Sequence, residues 1–183
     1  MDKKEIRRAV KQAILALSPA ERELQEQRVV ASLCSIIAER KPRVVALFAP
    51  LGDEVQILPL VEKLPRDCRL LLPRVEDTAD GTPSMEFYDY NASALAVGSY
   101  GIMEPQGTVA CAVEEIDLMV VPGVAFSADG VRLGRGKGYY DRYIAREGFR
   151  AYTIGVCYDC QMLGQLPCDE HDRRVDSVIY PLY

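Results

Sequence analysis

Three short runs of this chain are apolar along nearly their whole length instead of at alternate positions. They are Arg43-Val44-Val45-Ala46-Leu47-Phe48-Ala49, Ile116-Asp117-Leu118-Met119-Val120-Val121-Pro122 and Ala151-Tyr152-Thr153-Ile154-Gly155-Val156. A strand with one wet face alternates; a continuous run must be covered on both faces, as central strands of a parallel sheet are. Arg69-Leu70-Leu71-Leu72-Pro73 reads as a further strand. Met85-Glu86-Phe87-Tyr88-Asp89-Tyr90 alternates and suits an edge. Asp80-Gly81-Thr82-Pro83 reads as a turn and Ser99 to Pro105 as loop.

Helical segments alternate with these runs. Asp2 is placed to cap a helix over Lys3 to Leu17, with Ile6, Val10, Ala13, Ile14 and Leu17 on one face. Lys4, Arg8 and Lys11 share the opposite face. Ser18-Pro19-Ala20-Glu21 is a capping box with proline at the first helical position, opening a second helix to Arg40. Further helices are expected over Gln56–Leu64 and Tyr139–Glu147, and residues 151–156 return to strand. The alternation predicts one α/β domain over residues 1–183, without repeats or linkers.

Between the second and third central strands lies Arg132-Leu133-Gly134-Arg135-Gly136-Lys137-Gly138-Tyr139-Tyr140-Asp141-Arg142. Alternating glycines let successive N–H groups turn toward one concave spot, a nest for an anion. Arg132, Arg135 and Lys137 add full positive charge to it. The bland alternative is a basic surface turn, but a loop between a buried strand and a helix is where α/β proteins hold phosphate. Neither familiar phosphate motif fits: Val131 stands where a Walker loop needs its first glycine, and Tyr139 where a dinucleotide loop needs its third. Glu54, after the first strand, is a candidate ligand contact or a first-turn helical acid.

Composition narrows the function classes. The net charge of −5 argues against nonspecific nucleic-acid binding, so any anion site is local. No apolar run has the length of a membrane span, and Met1-Asp2-Lys3-Lys4-Glu5 lacks the core of a signal peptide. The six cysteines are expected as reduced cytoplasmic thiols; Cys157-Tyr158-Asp159-Cys160 is formally a C-x-x-C, without a second pair at zinc spacing.

The chain resembles the 5-formyltetrahydrofolate cyclo-ligase family, also called 5,10-methenyltetrahydrofolate synthetase, over nearly its whole length. The resemblance rests on Pro122-Gly123-Val124-Ala125-Phe126 and on Gly130 through Asp141. Supporting matches are Lys4 with Arg8, Asp53-Glu54-Val55, Gly101-Ile102, Glu104-Pro105, Gln161 before Leu166-Pro167, and His171-Asp172. Gln56-Ile57 and Val178-Ile179-Tyr180 depart from the family pattern. The resemblance implies a Rossmann-like three-layer α/β/α sandwich, of the kind also used by sugar-phosphate isomerases and CoA transferases. It implies ATP- and Mg²⁺-dependent closure of 5-formyltetrahydrofolate to 5,10-methenyltetrahydrofolate, releasing ADP and phosphate, by a cytoplasmic monomer.

The resemblance also implies roles. Arg135 and Lys137 act in catalysis. Lys4, Arg8 and the run Arg132-Leu133-Gly134-Arg135-Gly136-Lys137-Gly138-Tyr139-Tyr140 hold ATP. Leu51, Glu54 and Gln56 face the folate from one side and Arg135 to Tyr139 from the other; Asp141 and Asp172 hold Mg²⁺. A non-catalytic nucleotide sensor on the same fold would keep the glycine nest but lose the magnesium acid or the folate side. The presence of both Asp141 and Glu54 favours the enzyme.

Overall fold

The structure is a computed structural model that describes residues 1–77, 83–98 and 101–181. Two N-terminal helices open the chain, α1 (Lys3–Ala16) and α2 (Pro19–Arg40). Each begins with a reciprocal capping box. The Asp2 carboxylate accepts from the N–H groups of Lys4 and Glu5 while Glu5 accepts from Asp2 N–H, and Ser18 and Glu21 do the same for α2. Helix α2 stops at Lys41, which adopts φ 50°, immediately before Pro42.

Six strands form the main sheet: β1 (Val44–Ala46), β2 (Arg69–Asp77), β3 (Pro83–Asp89), β6 (Leu118–Val121), β9 (Tyr152–Val156) and β10 (Ser177–Ile179). Their order is β10-β9-β6-β1-β2-β3. All neighbours run parallel except β3, which closes the edge antiparallel to β2. Two short hairpins project from this frame: β4 (Leu95–Val97) with β5 (Met103–Pro105), and β7 (Ala125–Phe126) with β8 (Arg132–Leu133). A six-residue helix, α3 (Tyr139–Ile144), follows the glycine loop.

The unalternating runs are buried on both faces, as their composition requires. Val45, Leu47, Leu118, Val120, Ile154 and Val156 pack with Ile6, Val10, Ile14, Val29 and Leu33 of the two long helices. Ala46, Met119 and Val121 face the other way, onto Phe87, Phe126 and Tyr143 of α3. Each fully buried aliphatic side chain contributes about 1.5–3 kcal/mol. The result is helix, sheet and helix in three layers. Phe126 anchors the β7–β8 hairpin to the sheet by lying on glycine: a Cβ at Gly155 would stand 2.4 Å from its ring, and one at Gly123 2.6 Å.

Three local expectations change. The helix expected over Gln56–Leu64 is a single 3₁₀ turn, Leu58–Leu60; Pro59 removes one N–H donor from it, and Pro65 disfavours the helical conformation at Leu64. The helix expected over Tyr139–Glu147 ends at Ile144, ahead of Gly148 with φ 83°. Met103–Pro105, expected as loop, pairs with Leu95–Val97; three-residue strands carry too little periodicity to be read. The turn expected at Asp80-Gly81-Thr82 lies outside the described residues, as do Ser99 and Tyr100.

Candidate active site

The glycine loop leaves β8 at the C-terminal end of the sheet, where the ends of β1 and β6 open into a cleft of about 270 Å³. Gly136 (φ 98°) and Gly138 (φ 67°) turn through the left-handed region, so the chain doubles back beside the cleft without side chains in the way. Arg132, Arg135, Lys137, Tyr139, Tyr140 and Asp141 line that wall. Phe48, Leu51, Pro73, Val75, Met85 and Ile102 make the rest largely apolar.

Each cation of the loop has a different setting. Arg132 is 5% exposed; it donates to Asp141 Oδ1 at 2.8 Å and to the Pro122 carbonyl at 3.3 Å. Among the described residues its buried Nε has no hydrogen-bond partner. Arg135 bridges the cleft: its Nε donates to Glu54 Oε1 at 3.0 Å, and its two terminal nitrogens grip both oxygens of Asp53. Burial works against both charges of that pair, yet Arg135 holds the Asp53 carboxyl below its ordinary value. Lys137 is exposed and, among the described residues, has no ion pair.

Glu54 is 8% exposed, and its second oxygen accepts Leu51 N–H at 2.9 Å. The Tyr158 hydroxyl donates to Glu26 of α2 at 2.6 Å and lies 3.3 Å from the Glu54 carbonyl. Burial, with Glu26 beside it, pushes the Tyr158 phenol up, so it stays a donor. The loop after β1 is thus pinned from below before Arg135 meets it from above. Leu51 lines the cleft, whereas Gln56 does not. Gln56 spends its amide on the carbonyls of Leu51 and Glu54, at 3.1 and 3.0 Å, so it shapes the loop and is turned away from the ligand space.

Helix α1 supplies the remaining charge, shifted by one residue from the sequence expectation. Lys4 and Arg8 are exposed on the outer face of α1. Lys3 and Arg7 reach the site instead. Arg7 Nε donates to the Gly134 carbonyl at 2.8 Å, and Lys3 bridges Asp172 and Asp169. Lys11, one turn further, lines a second small cavity with Arg7, Asp53 and Arg135. One residue rotates a helix by about 100°, so Lys4 and Arg8 stand nearly opposite the stripe Ile6, Val10, Ile14, while Lys3, Arg7 and Lys11 flank it. The edges of that stripe were the signal that could have identified them.

The segment that carries Asp172 reaches Asp141 although the two are far apart in sequence. Arg173 N–H donates to Asp141 Oδ1 at 3.0 Å, which brings the C-terminal segment against α3. Burial would raise the Asp172 carboxyl, but Asp169 N–H and Lys3 outweigh it and hold it below its ordinary value. Among the described residues no group of three or more His, Cys, Asp or Glu side chains is arranged as a metal site. Asp141 Oδ1 accepts from Arg132 as well as Arg173, and Asp172 Oδ2 is held by Lys3 and by Asp169 N–H, so each carboxylate has oxygen chemistry that suits a hard cation but is engaged by protein donors here.

A family model described as the 5-formyltetrahydrofolate cyclo-ligase family matches residues 1–181. The chain belongs to that family. A mouse 5-formyltetrahydrofolate cyclo-ligase is 30% identical over 188 residues, covering 97% of this chain and 93% of the relative. The Escherichia coli K12 cyclo-ligase is 28% identical, covering 94% and 96%. Among solved structures, the Aquifex aeolicus 5,10-methenyltetrahydrofolate synthetase superposes with a TM-score of 0.82 at 36% identity, covering 97% of this chain and 89% of that one. The Mycoplasma pneumoniae synthetase gives 0.79 at 29% identity, covering 98% and 99%. The chain is therefore a cyclo-ligase, an enzyme of folate metabolism, and its α/β fold is the family's.

The remaining expected positions lie in or behind the wall of the cleft. Leu133 is 2% exposed and belongs to the core, so only its main chain can face a ligand. The Tyr140 hydroxyl is pushed well above its ordinary value by burial and stays protonated. Gln161 holds the carbonyls of Gly123 and Val124 at 2.9 Å each, fixing the turn after β6. Cys157 packs under one face of the sheet and Cys160 against the other, so the C-x-x-C does not form a pair; all six thiols are free. Among the described residues no helix is long and apolar enough to cross a membrane.

Proposed function

We propose that the cleft catalyses ATP-dependent closure of 5-formyltetrahydrofolate to 5,10-methenyltetrahydrofolate, releasing ADP and phosphate. The observation that carries this reading is the shared wall. One loop presents Arg132, Arg135 and Lys137 to a space whose other walls are largely apolar apart from Glu54 and Glu104, with Asp141 at its edge. Charge suits phosphates, and the apolar walls suit a flat ring.

A formamide carbon is a poor electrophile and its oxygen a poor leaving group. Transfer of the γ-phosphoryl group to the formyl oxygen breaks the P–O bond to ADP and turns that oxygen into a phosphate ester. N10 of the folate then attacks the carbon. The C–O bond breaks, phosphate leaves with the electron pair, and the N10 proton is lost, giving the methenyl bridge. Such a transfer asks the protein mainly for positioning and charge neutralisation.

Lys137, without an ion pair among the described residues, is the charge available to the transferred group. Arg135 orients the formyl end through its bond to Glu54. The Arg132 guanidinium at the cleft wall and the turned glycine N–H groups favour phosphate oxygens there. Lys3 and Arg7 receive the outer part of ATP in place of Lys4 and Arg8. Asp141 and Asp172 would hold Mg²⁺, which when bound neutralises phosphate charge. Leu51, Glu54 and Tyr139 bound the folate side. The same reading takes residues 1–183 as one domain, working as a cytoplasmic monomer on small molecules, not on nucleic acid.

The test uses purified protein with 5-formyltetrahydrofolate, ATP and Mg²⁺, followed by the absorbance of the methenyl product. Product must form with the complete mixture and stop when ATP or Mg²⁺ is omitted. Absence of product from the complete mixture refutes the reading.

A further inference from the structure

The mechanism above leaves a second buried carboxylate in the cleft unused. Glu104, in β5, is 4% exposed and lines the same space as Arg135 and Lys137. Its main chain pairs with Ala96 of β4, and its carboxyl lies directly on Gly98. A Cβ at Gly98 would stand 2.1 Å from both Cδ and Oε2 of Glu104, so the glycine leaves the volume that this carboxyl fills.

Among the described residues Glu104 has no ion pair, and Val75 N–H donates to it only at the long distance of 3.5 Å. Arg74, whose charge it feels, is occupied: its donors go to Glu76 and to the carbonyls of Pro105 and Gly107. Burial therefore pushes the Glu104 carboxyl above its ordinary value. A buried carboxylate with open acceptor positions is costly unless something brings donors to it. Pro73, Val75, Met85 and Ile102 beside it form apolar walls that admit a flat ring.

A 2-amino-4-oxopteridine ring carries two adjacent N–H donors, the 2-amino group and N3–H, which match the two oxygens of a carboxylate. We infer that Glu104 is a specificity-determining residue that receives this donor edge and so turns the N5 formyl group toward Arg135 and Lys137. The inference rests on the folate reading of the cleft.

Calorimetric titration of 5-formyltetrahydrofolate and its 2-desamino analogue into wild type, Glu104→Leu and Glu104→Gln tests it. The wild type should prefer the parent compound by about tenfold or more, the scale of a charged hydrogen bond. Glu104→Leu should bind the parent about tenfold more weakly and no longer distinguish the two. Glu104→Gln, which keeps one acceptor oxygen and nearly the same shape, should fall between, and it reads the same discrimination if the leucine variant does not fold. In turnover the loss should fall on KM for the folate and not on KM for ATP. Full discrimination retained in the variants overturns the inference, as does a loss confined to kcat, which would mark proton removal and not recognition. A wild type that makes no methenyl product refutes the proposed function instead, and the binding comparison still decides Glu104.

Discussion

Arg7 of α1 donates from Nε to the Gly134 carbonyl at 2.8 Å, joining the first helix of the chain to the start of the glycine loop. The bond uses one nitrogen of the guanidinium, and a terminal nitrogen lies 3.6 Å from where a Cβ on Gly136 would stand. Arg7 therefore both fixes the loop and adds charge beside it. Arg8, its neighbour, is exposed. Arg7→Ala should raise KM for ATP by about tenfold or more, on the scale of a lost charged hydrogen bond, while Arg8→Ala stays within about twofold. Steady-state kinetics of the two variants side by side check this; equal effects would return the contact to the outer face of α1.

Lys137 is exposed at the cleft and makes no ion pair among the described residues, so its removal leaves no buried partner stranded. Lys137→Ala should lower kcat by about 10²–10³, the range found when one group stabilising a transition-state charge is removed. The melting temperature should stay near that of the wild type. Near-normal turnover in a folded variant would remove Lys137 from the phosphoryl transfer.

The Phe126 ring occupies the space a side chain would need at Gly155, 2.4 Å from the position of a Cβ there. Both partners sit in the sheet and hairpin core, so neither can yield cheaply. Gly155→Ala should destabilise by about 1–3 kcal/mol, as overpacking does, and should loosen the hairpin that carries Arg132. Urea unfolding measures the first effect. Arg132 sits on the same hairpin, so kcat should fall as well. A variant as stable as the wild type would show that the ring has room to move.

Asp53, in the second small cavity, and Glu104, in the cleft, should respond to pH with opposite signs. Asp53 is held below its ordinary value of 3.8 by Arg135, so its stabilisation is complete above pH 3.8 and is lost as pH falls below it. Asp53→Asn should be less stable than wild type at pH 7, with the gap closing in acid. Glu104 is raised above 4.5 by burial, so its favourable contribution exists below pH 4.5 and is lost as pH rises through its folded value. Glu104→Gln should be more stable than wild type at pH 7, and that gain should vanish below pH 4.5. Denaturation of both variants at several pH values decides the signs.

Much of the frame was legible because its signals are local. The unalternating runs around Val45, Val120 and Ile154 could only be strands covered on both faces. Asp2, Ser18 and Pro19 marked the starts of the two long helices, and the glycines at 134, 136 and 138 marked the loop. Those features depend on a residue and its near neighbours, and the sequence by itself determined them. Which cations of α1 meet the loop, that Gln56 turns inward to its own backbone, that Arg135 reaches Glu54 and Asp53, and that Glu104 is buried against Gly98 were decided only in three dimensions. Each depends on partners brought together from separate elements, and on a helix a single residue of register turns a side chain by about 100°. A run of residues fixes what an element is; where its side chains arrive is fixed by the packing of the elements against one another.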